Sequence, residues 1–113
     1  MEGMRVGADE ATALLRGLAN QHRLLILCRL IDGESSVGEL SDFLGIRDST
    51  VSQHLGVLRR DRLVRTRRDG QTIWYSISSA PARAVIEALH RSYCGTSDEH
   101  RPRPARKARR AGA

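Results

Sequence analysis

Residues 45–77 decide the fold of this 113-residue chain, and they read GIRDSTVSQHLGVLRRDRLVRTRRDGQTIWYSI. Gly45 ends one helix, and Asp48 is a good N-cap for the next, which the pattern predicts over residues 49–60. The inner face of this helix carries three apolar side chains at helical spacing: Val51, Leu55 and Leu58. The opposite face is polar, so the sequence predicts an amphipathic helix packed on a core.

The second part of this stretch predicts a β-hairpin. Two runs of alternating polar and apolar residues, 63–68 and 71–77, flank Asp69-Gly70. Asp-Gly between alternating runs is the strongest short-range hairpin signal, because both residues tolerate the backbone of a tight turn. Two short helices followed by a hairpin, the wing, form a winged helix-turn-helix.

Helix signals on either side complete the architecture. A first helix is predicted from about Glu10, Asn20 is the N-cap of a second, and Ser36 with Glu39 forms the capping box of a third. Pro81 fits the first turn of a last helix. The second helix carries one apolar stripe: Leu24, Leu27, Cys28 and Ile31. The predicted fold class is mainly α with a β-hairpin wing, in the order α-α-α-α-β-β-α.

Length and composition allow a single domain. Residues 1–8 lack a pattern and are predicted to be a flexible lead, whereas residues 9–94 form the domain. Residues 95–113 form a tail rich in Arg and Pro that cannot build a core and is predicted to be disordered. No apolar run approaches the roughly 18 residues of a membrane span, and two cysteines are too few for a disulfide scaffold. These features predict a soluble, cytoplasmic protein with no membrane partner.

Positive charge is concentrated in two places. The chain has 19 Lys+Arg against 13 Asp+Glu, a formal net charge of +6. Residues 47–68 hold seven arginines opposed by two aspartates, and the tail adds six basic residues. A basic segment in an otherwise balanced domain indicates a polyanion-binding face, but a solvated surface gives the same composition. For the tail, the two interpretations are a second, sequence-independent polyanion contact and a merely solubilising segment.

A winged helix-turn-helix points to double-stranded DNA as the partner. Short polar side chains near the start of its second helix face the major groove, and the wing meets the backbone or the minor groove. Gln53 can bond bidentately to adenine. The candidate DNA-binding residues are Ser49, Thr50, Ser52, Gln53 and His54 on the helix, with Arg67, Arg68 and Gln71 at the hairpin. For each hydroxyl, capping and solvation of a surface helix is the alternative.

Three segments together resemble the ArsR/SmtB-type bacterial repressors. They are LANQHRLLIL at residues 18–27, STVSQHL at residues 49–55, and DGQ at residues 69–71 shortly before Trp74 and Tyr75. The resemblance covers about residues 10–94. It implies a homodimer formed through the first and last helices, which represses transcription at an imperfect palindrome and is not an enzyme.

The residue before the wing departs from the family pattern. The family usually has Gly immediately before the Leu-Val that starts the wing, and this chain has Arg62. If that backbone needs a positive φ, Arg costs on the order of 1 kcal/mol or the turn adapts. The departure affects the angle of the wing and leaves the fold intact.

The metal sites of this family lack their ligands here. The arsenic-sensing type carries Cys-x-Cys on the helix before the recognition helix, where residues 39–43 contain no thiol. The zinc-sensing type uses several Asp and His ligands on the last helix, where this chain offers Glu87 and His90. Two ligands are too few for a tetrahedral site. We therefore expect neither a metal nor another cofactor.

The two cysteines, Cys28 and Cys94, lie on the apolar stripes of the second and last helices. Residues alone leave open whether they are small core side chains or whether their sulfurs meet. The segments LILC at residues 25–28 and HRSYC at residues 90–94 resemble the dithiol, sulfide-responsive branch of the family. That resemblance implies that a persulfide, polysulfide or other oxidant bridges the two sensor thiols and that the repressor then leaves DNA.

Three other functions remain open. A thiol oxidoreductase could use the same two cysteines, but the chain has no Cys-x-x-Cys motif. A nucleoid-type protein could bind DNA through charge alone, with equal affinity for every sequence. Within the repressor class, the alternative is a regulator with redox-insensitive or metal-responsive control.

Overall fold

The computed structural model describes residues 2–95 of the chain and the side chains of residues 7–93. Within these residues, five α-helices pack with a small antiparallel sheet. The elements are α1 (Glu2–Leu18), α2 (Gln21–Ile31), β1 (Ser35–Ser36), α3 (Val37–Leu44), α4 (Asp48–Arg60), β2 (Val64–Asp69), β3 (Thr72–Ile77) and α5 (Ala80–His90). The predicted winged helix-turn-helix is confirmed, and the wing consists of β2, β3 and the turn between them.

The sequence signals for helix ends are confirmed at three positions. Asn20 caps α2, since its side-chain Oδ1 accepts a hydrogen bond of 3.1 Å from the backbone N–H of Arg23. Ser36 and Glu39 form the reciprocal capping box of α3, with N···O distances of 3.2 and 3.4 Å. Gly45 follows α3 in the left-handed conformation at φ 72°, which a residue without a Cβ adopts at low cost.

The start of α1 differs from the prediction. The helix begins at Glu2, so residues 2–8 are helical and the predicted start at about Glu10 is wrong. Residues 2–8 carry no apolar stripe at helical spacing, so periodicity does not reveal this part of the helix. Among residues 7–18, only Gly17 and Leu18 are buried.

The start of α4 also differs, by one residue. Asp48 is the first helical residue, and Arg47 occupies the N-cap position without a side-chain cap hydrogen bond. The predicted cap at Asp48 is therefore wrong. Its carboxylate still lies in the first helical turn, where it interacts favourably with the helix dipole.

The core lies between α2, α4 and α5. Its largest fully buried side chains are Ile26, Leu27, Leu30, Leu40, Val51, Leu55, Leu58 and Ile86. The predicted stripe of α2 is only partly right, because Leu27 is fully buried whereas Leu24, Cys28 and Ile31 are partly buried at the edge. α2 packs against several elements, namely α1, α3, α4, α5 and β3. Its buried residues, Ile26, Leu27 and Leu30, therefore do not follow the single predicted stripe.

The sheet contains one strand that the sequence did not predict. Its order is β1-β3-β2, and the two residues of β1 pair antiparallel with Tyr75 and Trp74 of β3. The wing pairs from Val64↔Ile77 to Asp69↔Thr72, with Gly70 at φ 64° in the connecting turn. Arg62, just before the wing, has a φ of 64°, so this position does adopt the conformation for which the family uses Gly.

The chain continues beyond α5 as a π-helical turn, Arg91–Gly95. Cys94 lies in this turn, and its side chain is outside the described residues, as is the predicted tail from residue 96 onward. Tyr93 in the turn and Leu15 in α1 are the large apolar side chains exposed among residues 7–93, at 73% and 56%. Across residues 2–95, no helix is both long enough and apolar enough to cross a membrane.

Candidate nucleic-acid interface

The helix-turn-helix is held by its turn and by the core. The hydroxyl of Ser41 in α3 donates a hydrogen bond to the carbonyl oxygen of Ile46, which fixes the turn between α3 and α4. The three predicted inward side chains of α4, Val51, Leu55 and Leu58, are fully buried. The orientation of α4 relative to the domain is therefore set by hydrophobic packing.

The opposite face of α4 carries the predicted polar residues. Ser49, Ser52 and Gln53 are exposed, and Thr50 is half-buried. The structure therefore brings these four candidate residues together on the first two turns of one helix. Ser49 and Thr50 lie one turn before Gln53 on the same face. Together these side chains can bond to a base edge and to neighbouring phosphates.

Arg47 belongs to this face and was not singled out from the sequence. It is exposed at the N-cap of α4, where the first α-helical hydrogen bond runs from the N–H of Val51 to its carbonyl oxygen at 3.0 Å. The N–H groups that precede Val51 have no acceptor within the helix, and together with the helix dipole they favour an anion. The only signal in the sequence was the density of arginines between residues 47 and 68.

His54 lies apart from the exposed residues of α4. It is half-buried, and its ring contacts that of His22 in α2 edge-on, with centroids 5.5 Å apart. Burial lowers the pKa of His54, and the nearby charges of Arg23 and His22 lower it further. His54 is therefore biased toward its neutral form and connects α4 to α2.

Arg23 joins α1 to the same region. Its Nε donates to the carbonyl oxygen of Gly17 at 2.7 Å, and its Nη2 reaches the carbonyl oxygen of Arg16 at 3.5 Å. A cation at the C-terminal end of a helix satisfies unpaired carbonyl groups and complements the helix dipole. Arg23 thus joins the C-terminal end of α1 to the start of α2, and its charge also acts on His54 of α4.

The three predicted DNA-binding residues of the wing differ in their surroundings. Arg68 and Gln71 are exposed near the tip. Arg67 instead forms two hydrogen bonds with the carboxylate of Glu34, in the loop after α2. The hydrogen bond from Arg67 lowers the pKa of Glu34, and the same bond raises the pKa of Arg67. A contact across 33 positions leaves no local pattern, so the sequence could not indicate Glu34.

The two cysteines lie on neighbouring elements. Cys28 is partly buried on α2 and packs at the edge of the core. α2 packs against α5, and the π-helical turn that contains Cys94 follows α5 directly. Within the described part of the chain, no three His, Cys, Asp or Glu side chains are grouped so that they could hold a metal ion.

Comparison with known proteins identifies the family. The model of the arsR family of bacterial regulatory proteins matches residues 20–66, which include α2, α3 and α4. The transcriptional activator HlyU of Vibrio cholerae is 50% identical over 94 residues, which are 83% of this chain and 87% of HlyU. The chain belongs to the ArsR family.

Other ArsR-family proteins show the same similarity. The biofilm growth-associated repressor of Xylella fastidiosa is 42% identical over 93 residues, 82% of each chain. The structure of reduced HlyU from Vibrio cholerae superimposes with a TM-score of 0.79 at 50% identity, covering 83% of this chain and 99% of that one. These relatives are named as transcriptional regulators, so this ArsR-family chain is a DNA-binding regulator and not an enzyme.

Proposed function

We propose that this ArsR-family regulator is a homodimeric repressor, released from a palindromic operator when reactive sulfur species or an oxidant bridge Cys28 and Cys94. The observation that carries the proposal is the placement of the two cysteines. Cys28 lies on α2, which packs against both α4 and α5, and Cys94 lies in the turn that extends α5. Because its ligand is chromosomal DNA, the proposed site of action is the bacterial cytoplasm.

DNA binding is assigned to the exposed face of α4 and to the tip of the wing. Ser49, Thr50, Ser52 and Gln53 would lie in the major groove, while Arg68 and Gln71 would reach the backbone or minor groove. Arg47 adds a positive charge at the start of α4. His54 would contribute from the edge of this face, beside His22.

The exposure of α1 supports a dimer. From residue 7 to residue 16 the helix is exposed except at Leu14, which is half-buried. A helix with so little tertiary contact is marginal in water and gains from a partner. Leu15 on α1 and Tyr93 after α5 are both exposed apolar side chains, which favours an interface built from the first and last elements.

The sulfur step needs no cofactor. One cysteine thiolate attacks the outer sulfur of a low-molecular-weight persulfide, RSSH, and displaces RSH, leaving a protein persulfide. The other cysteine attacks the inner sulfur of that persulfide and releases H₂S. In sum, two thiols and RSSH give one disulfide, RSH and H₂S, so the thiols are oxidised and the sulfane sulfur is reduced. A second RSSH inserts a third sulfur and releases a second RSH.

A bridge between these positions would act on DNA binding through α2. It would tie α2 to the segment after α5, and α2 contacts α4 through His22 and His54. Specific binding requires two recognition helices about one DNA turn apart, so a small shift of each is costly. A coupling free energy of about 2–3 kcal/mol lowers operator affinity roughly 30- to 150-fold.

Substitution of either cysteine tests the proposal. Cys28→Ser and Cys94→Ser should bind upstream DNA as the unsubstituted chain does and should stay bound in polysulfide, as measured by fluorescence anisotropy. Reduction with dithiothreitol should restore binding of the unsubstituted chain and serves as the control for irreversible damage. Release of either variant at the normal polysulfide concentration would contradict the dithiol switch.

A further inference from the structure

The ion pair between Glu34 and Arg67 uses the full fork of the guanidinium. Nε of Arg67 donates to Oε2 of Glu34 at 2.9 Å, and Nη2 donates to Oε1 at 2.7 Å. The third nitrogen, Nη1, lies 4.0 Å from Oδ2 of Asp69. Arg67 therefore has carboxylates on two sides, and the hydrogen-bonded one, Glu34, opposes its positive charge.

The pair crosses the sheet from one edge to the other. Glu34 immediately precedes β1, Arg67 lies in β2, and β3 runs between these two strands. Arg67 is paired with Trp74 of β3, and Trp74 is paired with Ser36 of β1. Because side chains alternate between faces along a strand, Glu34 and Arg67 lie on the same face of the sheet.

Few other contacts hold the outer half of the wing. Val64 and Ile77, paired at its base, are the buried residues of β2 and β3, whereas Arg67 and Arg68 are exposed. β1 pairs with the wing over only two residues. The pair with Glu34 is thus a second attachment of the wing to the loop that follows α2.

We propose that Glu34 is a positioning residue for DNA binding, which sets the orientation of the wing through Arg67, and that Arg67 acts through Glu34 instead of at a phosphate. The inference rests on the proposed binding of DNA by α4 and the wing. A carboxylate 2.7 Å from the guanidinium opposes a phosphate at the same place. The phosphate contacts of the wing then fall to Arg68 and Gln71.

This assignment and simple electrostatics predict effects of opposite sign. If Glu34 only repelled DNA, removing it would free Arg67 and tighten binding. If Glu34 orients the wing, removing it weakens binding even though a negative charge is lost. The sign of the change therefore separates the two possibilities.

The test measures affinity for upstream DNA by anisotropy over a range of salt concentrations. Glu34→Ala and Arg67→Ala should each weaken binding about three- to tenfold, and the double variant should be no weaker than either. The slope of log affinity against log salt should be the same in Arg67→Ala as in Glu34→Ala, because both variants lose the same screened ion pair. It should become shallower by about 0.9 in Arg68→Ala, which removes a true phosphate contact.

Two control variants complete the design. Asp32→Ala removes an exposed acid two positions earlier in the same loop and should not weaken binding. The exchanged pair, Glu34→Arg with Arg67→Glu, should recover most of the affinity lost in the single variants. Tighter binding by Glu34→Ala, or a salt slope that is shallower in Arg67→Ala than in Glu34→Ala, would overturn the assignment.

A second readout does not depend on DNA. Amide hydrogen exchange in the wing should be several-fold faster in Glu34→Ala than in Asp32→Ala, because the wing loses an attachment only in the first. Equal exchange in the two variants would overturn the positioning role. If the unsubstituted chain failed to prefer its upstream DNA, the proposed function would fail, and the exchange comparison would still decide whether Glu34 holds the wing.

Discussion

The two halves of the candidate DNA surface are held in place by different forces. α4 is fixed by three fully buried side chains, whereas the outer wing is fixed by a two-residue strand and an ion pair whose side chains are 53% and 37% exposed. Hydrophobic packing is insensitive to moderate salt, but exposed ion pairs are screened. We therefore expect the position of α4 to be insensitive to salt and the position of the wing to depend on it.

The largest expected effect comes from the core under α4. Leu55→Ala should lower the free energy of unfolding by about 2–5 kcal/mol, because it removes a fully buried side chain and leaves a cavity. Urea denaturation of the reduced chain measures the change. Gly56→Ala is the matched control in the same helix, since a Cβ there meets no atom within 4 Å. It should stabilise the chain by about 0.5–1 kcal/mol, and a comparable loss in both variants would contradict the packing argument.

The next effect separates base reading from phosphate contact. Gln53→Ala should cost about 1–3 kcal/mol of binding free energy on the preferred DNA and much less on unrelated DNA. Arg68→Ala should weaken both DNAs alike and reduce the salt dependence. Anisotropy titrations on both DNAs give, for each variant, the ratio of its affinity for the preferred DNA to its affinity for the unrelated DNA. An equal loss on both DNAs for Gln53→Ala would remove it from base recognition.

A smaller effect concerns the junction between the two halves. Arg62 adopts a φ of 64° just before the wing, a conformation that a side chain with a Cβ populates reluctantly. Arg62→Gly should therefore raise the free energy of unfolding by up to about 1 kcal/mol. The gain is expected because the relief of backbone strain exceeds the entropy that Gly adds to the unfolded chain. Arg62→Ala keeps the Cβ and should show no such gain. Equal stability of the Gly and Ala variants would mean that the turn carries no strain.

The smallest effect is a difference in pH dependence between the two regions. The pKa of Glu34 is lowered by Arg67, so its stabilising contribution is complete above the ordinary Glu pKa and is lost as pH falls through the folded value. The pKa of His54 is lowered mainly by burial, so stability decreases as pH falls below the ordinary His pKa. Glu34→Gln should reduce the change of the unfolding free energy with pH in the acidic range. His54→Gln should reduce that change in the range nearer neutrality. Denaturant titrations at several pH values check this assignment, which an unchanged profile in both variants would refute.

Local signals in the sequence predicted the elements because each signal acts within a few residues. Asn20, Ser36 with Glu39, and Gly45 lie where the caps and the helix end require them. The inward face of α4 follows from spacing alone, since apolar residues one turn apart share a face. The candidate residues on α4 could be predicted for the same reason, because they are the remaining polar positions of that helix.

Features that depend on distant partners could not be predicted in this way. β1 is a strand only because Ser35 and Ser36 lie beside β3, and two residues have no periodicity. The pairing of Arg67 with Glu34 requires the folded sheet, so the sequence placed Arg67 among the DNA-binding residues without indicating its partner. Residues 2–8 of α1 have no apolar stripe that would reveal them as helix.

The most direct test of the proposed function is the affinity of the reduced chain for its own upstream DNA, measured by fluorescence anisotropy before and after glutathione persulfide. Intact-mass analysis and peptide mapping of the same samples report the state of Cys28 and Cys94. We expect a roughly 30- to 150-fold loss of affinity together with a bridge that joins these two residues. Unchanged binding with the bridge formed, or release with both thiols unmodified, would contradict it.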